Sequence, residues 1–258
     1  MQIKVLGASG SEVPGRNCPA FLVDGTILLD AGTVGMSLHI REEAAVSTIV
    51  LTHAHFDHIK GIPFLLDNRL IRDSGKTVTL ASAKDVIRDL RKNIFNDRIW
   101  PDFTRIPSPD KPVLRFAALV PARTALVDGF RVTLEKVDHT VPAYGVIVED
   151  ADGAAIAYTG DTGPTERLWK RLRSNKVGAL IVETSLPNRM EELALRTGHL
   201  TPALLEKEIA KMRPAPPAIL LMHAKPQYRA EIERDVVALG NGAIRLLMEG
   251  EIFSVQRG

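Results

Sequence analysis

The chain has 258 residues, with 33 lysines and arginines against 31 aspartates and glutamates; the formal net charge of +2 is too small to argue for a nucleic-acid partner. Its 45% hydrophobic and 25% charged residues are the proportions of an ordinary soluble globular protein, long enough for one large domain or two small ones. The single cysteine, Cys18, excludes an intrachain disulfide and suits a reducing compartment, and no apolar run approaches the roughly 20 residues that cross a bilayer.

The first third reads as short strands joined by turns: Ile3 to Leu6, Ala20 to Val23 and Ile27 to Leu29, with the hairpin signal Asp24-Gly25 between the last two. No signal-peptide pattern precedes the first strand, so a cytoplasmic location and no membrane partner are expected. A strand from Thr48 to Leu51 leads into Thr52-His53-Ala54-His55-Phe56-Asp57-His58. From Asp57 the apolar spacing of Ile59, Ile62, Leu65 and Leu66 is helical, perturbed at its start by Pro63. A strand from Thr77 to Leu80 and a helix from Lys84 to Asn93 follow. The stretch from Phe95 to Pro112 contains four prolines and reads as a long irregular loop, of a kind that tends to be functional.

The middle is rich in strand signals: Val113 to Val120, Arg131 to Val137, Gly145 to Val148 and Ala154 to Tyr158. Strands and helices then alternate. Helices are expected over Thr165 to Arg173, Pro202 to Met212 and Arg229 to Leu239, and strands over Ala179 to Val182, Ala218 to Met222, Ile244 to Leu247 and Ile252 to Val255. Met212 to Pro217 is proline-rich but short, a helix-to-strand connection rather than a linker, and no composition break divides the chain. The expectation is a single domain over 1–258, built as two mixed β-sheets with helices outside and the histidine loops at one end.

Three of the seven histidines stand in the Thr52–His58 run, and His139, His199 and His223 each lie in a later loop beside a strand signal. Only His39 is elsewhere, and it reads as an ordinary surface or core histidine. Three imidazoles and a carboxylate in six positions would repel when protonated and be poorly satisfied when buried, unless they hold a metal. His53, His55, Asp57, His58, His139, Asp161 and His223 all follow apolar strand signals, and five histidines with two aspartates are too many ligands for one tetrahedral ion. A natural partition gives His53, His55 and His139 to one ion and Asp57, His58 and His223 to another, with Asp161 bridging. Such ions sit about 3.5–4 Å apart and activate a shared water at neutral pH.

His53-Ala-His55-Phe-Asp57-His58, with His139, Thr159-Gly160-Asp161-Thr162 and His223, resembles the motif set of the metallo-β-lactamase superfamily. The resemblance implies an αββα sandwich over nearly the whole chain, two divalent ions (zinc first, with manganese and iron as the other candidates), and a structural role for Asp30, which closes an early strand. Leu6 to Pro14 followed by Arg16-Asn17, and Val182-Glu183-Thr184-Ser185 followed by Thr197-Gly198-His199-Leu200-Thr201, resemble the phosphodiesterase branch that includes the tRNA 3′-processing ribonucleases. There the resemblance makes His199 a general acid oriented by Glu183. Without it, His199 could simply precede a helix capped by Thr201 with Pro202 at its first position.

The run from His55 to Phe64, Asn93 to Asn96 with Trp100 to Phe103, and Asp138-His139-Thr140 to Pro142 look most like bacterial class II 3′,5′-cyclic-nucleotide phosphodiesterases. Phe56 departs from the leucine usual in that signature, outside the ligand set. The implied reaction is hydrolysis of a small-molecule cyclic nucleotide such as cyclic AMP or cyclic GMP to a 5′-nucleotide. A hydroxide shared by the ions attacks, His199 protonates the leaving 3′ oxygen, and Asp57 is both a ligand and a candidate to orient the attacking water. Lys225 is a candidate phosphate contact, though exposed lysines are common. Asn96 and Trp100, with Phe95, are candidates for a base contact against the plainer reading of loop anchoring. Ser9 lies in a loop that could offer backbone N–H groups to phosphate, a weak signal alone.

The alternatives are an endoribonuclease of the tRNA-processing type, with nucleic acid as its partner; a thioesterase or lactonase, which leaves Glu183 and His199 without a purpose; and a metal-bound nucleotide-binding protein without turnover. The weak charge and the lack of a long basic insertion stand against the first. A flavodiiron oxidoreductase would be expected to replace a histidine of the cluster with a carboxylate and to carry a flavodoxin domain. Homodimerisation is implied only by the resemblance.

Overall fold

In a computed structural model, which describes residues 1–72, 75–174, 176–212 and 214–257, the strands assort into two sheets. The first runs from β1 (Gln2–Gly7), β2 (Ala20–Val23) and β3 (Ile27–Leu29) through β4 (Thr48–Val50) and β5 (Val78–Ala83) to β6 (Leu114–Leu119). The second contains β7 (Thr124–Val127), β8 (Phe130–Lys136), β9 (Tyr144–Glu149), β10 (Ala155–Tyr158), β11 (Ala179–Glu183), β12 (Ile219–Met222) and β13 (Ile244–Leu246). The last strand, β14 (Ile252–Ser254), returns to the first sheet and pairs antiparallel with β1. Each sheet is half antiparallel and half parallel: β14 to β3 and β7 to β10 pair antiparallel, whereas β3 to β6 and β10 to β13 pair parallel. This is the expected αββα sandwich of two mixed sheets.

Helices cover the outer faces. The α-helices of the described residues are α1 (Ile40–Ala45), α2 (Phe56–Ile59), α3 (Ile62–Ile71), α4 (Lys84–Asn93), α5 (Arg167–Ser174), α6 (Glu191–Thr197), α7 (Pro202–Ala210) and α8 (Arg229–Ala238), of which the short α2 lies at one end of the sandwich. Among the described residues no helix is long and apolar enough to cross a membrane.

The strand period of two assigns side chains to layers. Along β11 and β12, Ile181, Leu220 and Met222 join the core between the sheets, while Leu180, Val182, Ile219 and Leu221 pack under the helices. Both faces are therefore buried, which is why these strands read as unbroken apolar runs. Amphipathic helices close the outside: α4 buries Val86, Ile87 and Leu90, and α5 buries Leu168, Trp169 and Leu172. Each such side chain contributes about 1.5–3 kcal/mol by leaving water.

The expected boundaries hold to within a few residues, with instructive exceptions. The helical signal after Asp57 is broken into α2 and α3 around Gly61, where Pro63 cannot supply an N–H to continue the ladder. Three short elements had no clear signal: β7 is a largely exposed edge strand, and α1 and α6 bury only Glu43 and Ala194 respectively. Residues 95–112 lack helix or strand but are pinned by buried Phe95 and Phe103. Arg213, within the Met212–Pro217 connection, lies outside the described residues. His39 precedes α1, where its N–H donates to Glu42 Oε2 at 2.9 Å.

Candidate metal centre

The histidine loops meet at one end of the sandwich, and both sheets contribute. His53 follows β4, His55 sits at the start of α2, and Asp57 and His58 lie within it. His139, Asp161 and His223 follow β8, β10 and β12 of the other sheet. Ligand atoms of His53, His55, His139 and Asp161 lie within 4.8 Å of one another, as do those of Asp57, His58 and His223, and those of Asp161, His199 and His223. His53, His58, Asp161 and His223 form a buried floor, and His55, Asp57, His139 and His199 a partly exposed rim.

The hydrogen-bond partners fix which ring nitrogen faces the centre. Asp30, fully buried at the end of β3, accepts from His58 Nδ1 at 2.7 Å, from Thr52 Oγ1 at 2.8 Å and from the Tyr158 hydroxyl at 2.6 Å; its other oxygen accepts from Thr52 N at 2.8 Å. A carboxylate in such company only accepts, so His58 carries its proton on Nδ1. Thr52 Oγ1, having given its hydrogen to Asp30, accepts from His53 Nδ1 at 3.0 Å. His139 Nδ1 donates to the Gly198 carbonyl at 2.8 Å. Gly198 ends α6 in the left-handed conformation, φ 68°, and the turn presents that carbonyl immediately before His199. Gly160 (φ 59°) serves a second close approach, since a Cβ there would lie 2.7 Å from Thr52 Cβ.

These commitments leave the Nε2 atoms of His53 and His58, together with Asp161 Oδ1, buried without a hydrogen-bond partner. Orphaned buried acceptors of this kind, converging from histidine and aspartate, fit divalent cations.

In the chain by itself the positive charge between the carboxylates falls to the imidazoles, His58 foremost. Burial holds His53 well below its ordinary pKa, reinforced by neighbouring His58, and lowers His55 and His139 too. Burial would also lower His58, but Asp161 and Asp30 on either side outweigh it and hold it well above. Burial would raise Asp57 and Asp161; the His223 contact and neighbouring His58 overcome it and keep both carboxylates well below the usual range. The centre thus holds ionised carboxylates that call for positive charge.

Beside the cluster stands a second carboxylate hub. Glu183, the last residue of β11 and fully buried, is 2.7 Å from His199 Nδ1 through Oε1, which also accepts from Thr162 N at 3.1 Å. Oε2 accepts from Ser185 Oγ at 2.7 Å and Leu200 N at 3.3 Å. The His199 ring lies 5.2 Å from those of His139 and His223, which sets it beside the same centre. Burial would lower His199, but Glu183 outweighs it and raises the pKa above the ordinary histidine value. Thr201 does cap α7 and Pro202 does open it, so the plain reading of the His199 loop is true of its backbone while its ring contacts Glu183.

The remaining sequence candidates sit otherwise. Ser9 Oγ donates to Glu249 at 2.8 Å, and the N–H groups of Ser9 and Gly10 go to Asn17 and Ala224. Asn96 organises its own loop through Lys92, Arg98 and Ile99. Trp100 packs edge-on to Phe64, its ring centroid 5.5 Å away. Lys225 donates to the Gly10 carbonyl, yet its charge is felt by His199. A hollow of about 190 Å³ beside His55 is lined instead by Ile59, Asp89, Leu90, Asn93, Val141 and Pro142. Sequence reasoning quoted Thr52 and Ser185 within its motifs but gave neither hydroxyl a role, and it missed Tyr158, which no local signal ties to Asp30.

A family model described as "Beta-lactamase superfamily domain" matches residues 26–224. A probable 3′,5′-cyclic-nucleotide phosphodiesterase of Yersinia pestis is 30% identical over 183 residues, 65% of this chain and 51% of that protein. A ribonuclease Z of Kineococcus radiotolerans is 34% identical over 178 residues, 63% of this chain and 54% of its own length. The match thus spans about half the length of these two relatives. Among solved structures, unliganded yeast PDE1 aligns with a TM-score of 0.82 at 18% identity, covering 97% of this chain and 98% of the other, a likeness of fold.

Proposed function

From a chain that belongs to the β-lactamase superfamily, as a metal-dependent hydrolase, we propose a phosphodiesterase that converts 3′,5′-cyclic nucleotides to 5′-nucleotides. The observation that carries this reading is the Glu183–His199 contact of 2.7 Å at the rim of the ligand cluster. An acid held there suits a reaction whose leaving group is an alkoxide needing a proton.

His53, His55 and His139 would hold one divalent ion and Asp57, His58 and His223 the other, with Asp161 between them. When bound, zinc (or manganese or iron) supplies Lewis-acid neutralisation of the phosphodiester charge and activation of water at neutral pH. The residues of the chain do the rest. Asp30 and the Gly198 carbonyl hold His58 and His139 in the tautomer that leaves Nε2 free. Asp57 stays ionised and is able to accept a hydrogen bond from the attacking water. The oxygen of water bonds to phosphorus and gives up a proton to solvent, the bond to the ribose 3′ oxygen breaks, and His199 gives that oxygen its proton while Glu183 stabilises the imidazolium until it is neutralised. The hollow beside His55, with apolar walls and Asp89 and Asn93 among its lining residues, supports accommodation of the nucleoside.

An endoribonuclease of the tRNA-processing kind uses the same parts, and the ribonuclease Z relative favours it as the second reading. Metal-loaded protein assayed on cyclic AMP, cyclic GMP, a precursor tRNA and a simple thioester separates them. Cyclic nucleotide turnover is expected; cleavage of the tRNA alone would sink the first reading in favour of the second.

A further inference from the structure

We propose that Ser185 is a positioning residue that orients His223 for its metal ion, through the same carboxylate that orients the acid His199. The inference rests on the reading of His223 as a metal ligand.

Ser185 is fully buried, and its Oγ lies 2.7 Å from Glu183 Oε2, 2.8 Å from His223 Nδ1 and 3.2 Å from His199 Nδ1. A hydroxyl has one hydrogen to give. Glu183 only accepts, so the hydrogen goes there, and Oγ must accept from the histidines. His199 has a nearer partner in Glu183 Oε1, at 2.7 Å. The ring left for Ser185 is His223, which therefore carries its proton on Nδ1. Its Nε2 then presents a lone pair, 3.2 Å from both Asp57 Oδ2 and Asp161 Oδ2.

The other side of the centre repeats this construction. His58 bonds Asp30 directly while His53 reaches the same carboxylate through Thr52. His199 bonds Glu183 directly while His223 reaches it through Ser185. Each buried carboxylate thus orients two histidines, one by contact and one through a hydroxyl. A merely space-filling serine would require neither the 2.8 Å approach to His223 nor this repetition.

Without the hydroxyl, His223 Nδ1 loses its acceptor, and the ring is free to place its proton on Nε2, where it blocks the metal. Partners of this kind typically contribute ten- to a hundredfold in metal affinity. Stripped protein is titrated calorimetrically with zinc, and the step belonging to the Asp57–His58–His223 set is identified as the one lost in His223→Ala. Ser185→Ala is expected to weaken that step about ten- to a hundredfold, leave the other step unchanged, and alter the visible spectrum of only one of two bound cobalt(II) ions. Ser185→Thr, which keeps the hydroxyl, should restore the step. Two unchanged steps in Ser185→Ala, or two equally weakened ones, overturn the relay. A wild-type chain that binds no zinc overturns the metal-centre reading beneath it.

Discussion

His139 Nε2 faces His55 Nδ1 across 3.2 Å. Because His139 gives its Nδ1 proton to the Gly198 carbonyl, its Nε2 can offer only a lone pair. Burial lowers both pKa values, so a shared metal cation suits the pair better than a second proton. Chelation should therefore lower the melting temperature and zinc restore it. A ligand at a thousand times its Kd contributes about 4 kcal/mol, on the order of 10 °C for a chain of this size. Scanning calorimetry with and without chelator measures it; an unchanged Tm would mean that the cluster holds no ion.

His199→Ala should keep both ions and lose about 10²- to 10⁴-fold in kcat on a cyclic nucleotide, the usual contribution of a general acid. Metal analysis beside the kinetics makes the check. Full activity would exclude the acid role.

The pH profile carries a sign. Burial opposes the charge on His199, yet Glu183 prevails and the folded-state pKa lies above 6.5. The imidazolium is present below that raised value and lost as pH rises through it, so hydrolysis should fall on an alkaline limb above pH 6.5. Any stability from this ion pair follows the same course, complete below the unfolded pKa and lost through the folded one. Glu183→Gln should move the limb to lower pH; a limb that stays in place would assign it to another group.

Tyr158→Phe removes one donor from the buried Asp30 carboxylate and leaves the fold's apolar contacts intact. A cost of about 1–3 kcal/mol is expected, read as a shift of the urea midpoint at constant slope.

Gly160→Ala should be destabilising by about 1–3 kcal/mol, where the same exchange at a compatible site stabilises. The backbone is left-handed and the added Cβ would press on Thr52, so zinc affinity should fall along with stability. Stability without such a loss would show that Thr52 yields freely.

Cys18, 3% exposed, has its thiol pushed up to about 11 by burial. Iodoacetamide at pH 8 should label it only after unfolding, as measured by mass spectrometry. Rapid labelling of the native chain would contradict a packing role.

How the chain divides what is local from what is not can be seen at particular residues. The strands before His53, Asp161 and His223 were legible because burial on both faces writes a nearly unbroken apolar run, and the strand before His139 because Phe130, Val132 and Leu134 alternate with polar residues. The donor types were legible because histidine and aspartate crowd into six positions. Edge strand β7 and helices α1 and α6 escaped because they bury too little to leave a period.

The sequence by itself therefore determined the sandwich, the chemistry of the ligands and their place at strand ends, since all three are written in neighbouring residues. Only the tertiary structure decided which nitrogen each histidine presents. Tyr158 reaches Asp30 across 128 residues, and Ser185 reaches His223 across 38. A proton's position on an imidazole depends on the partner that packing brings to its other side, and packing joins residues that the order of the chain keeps apart.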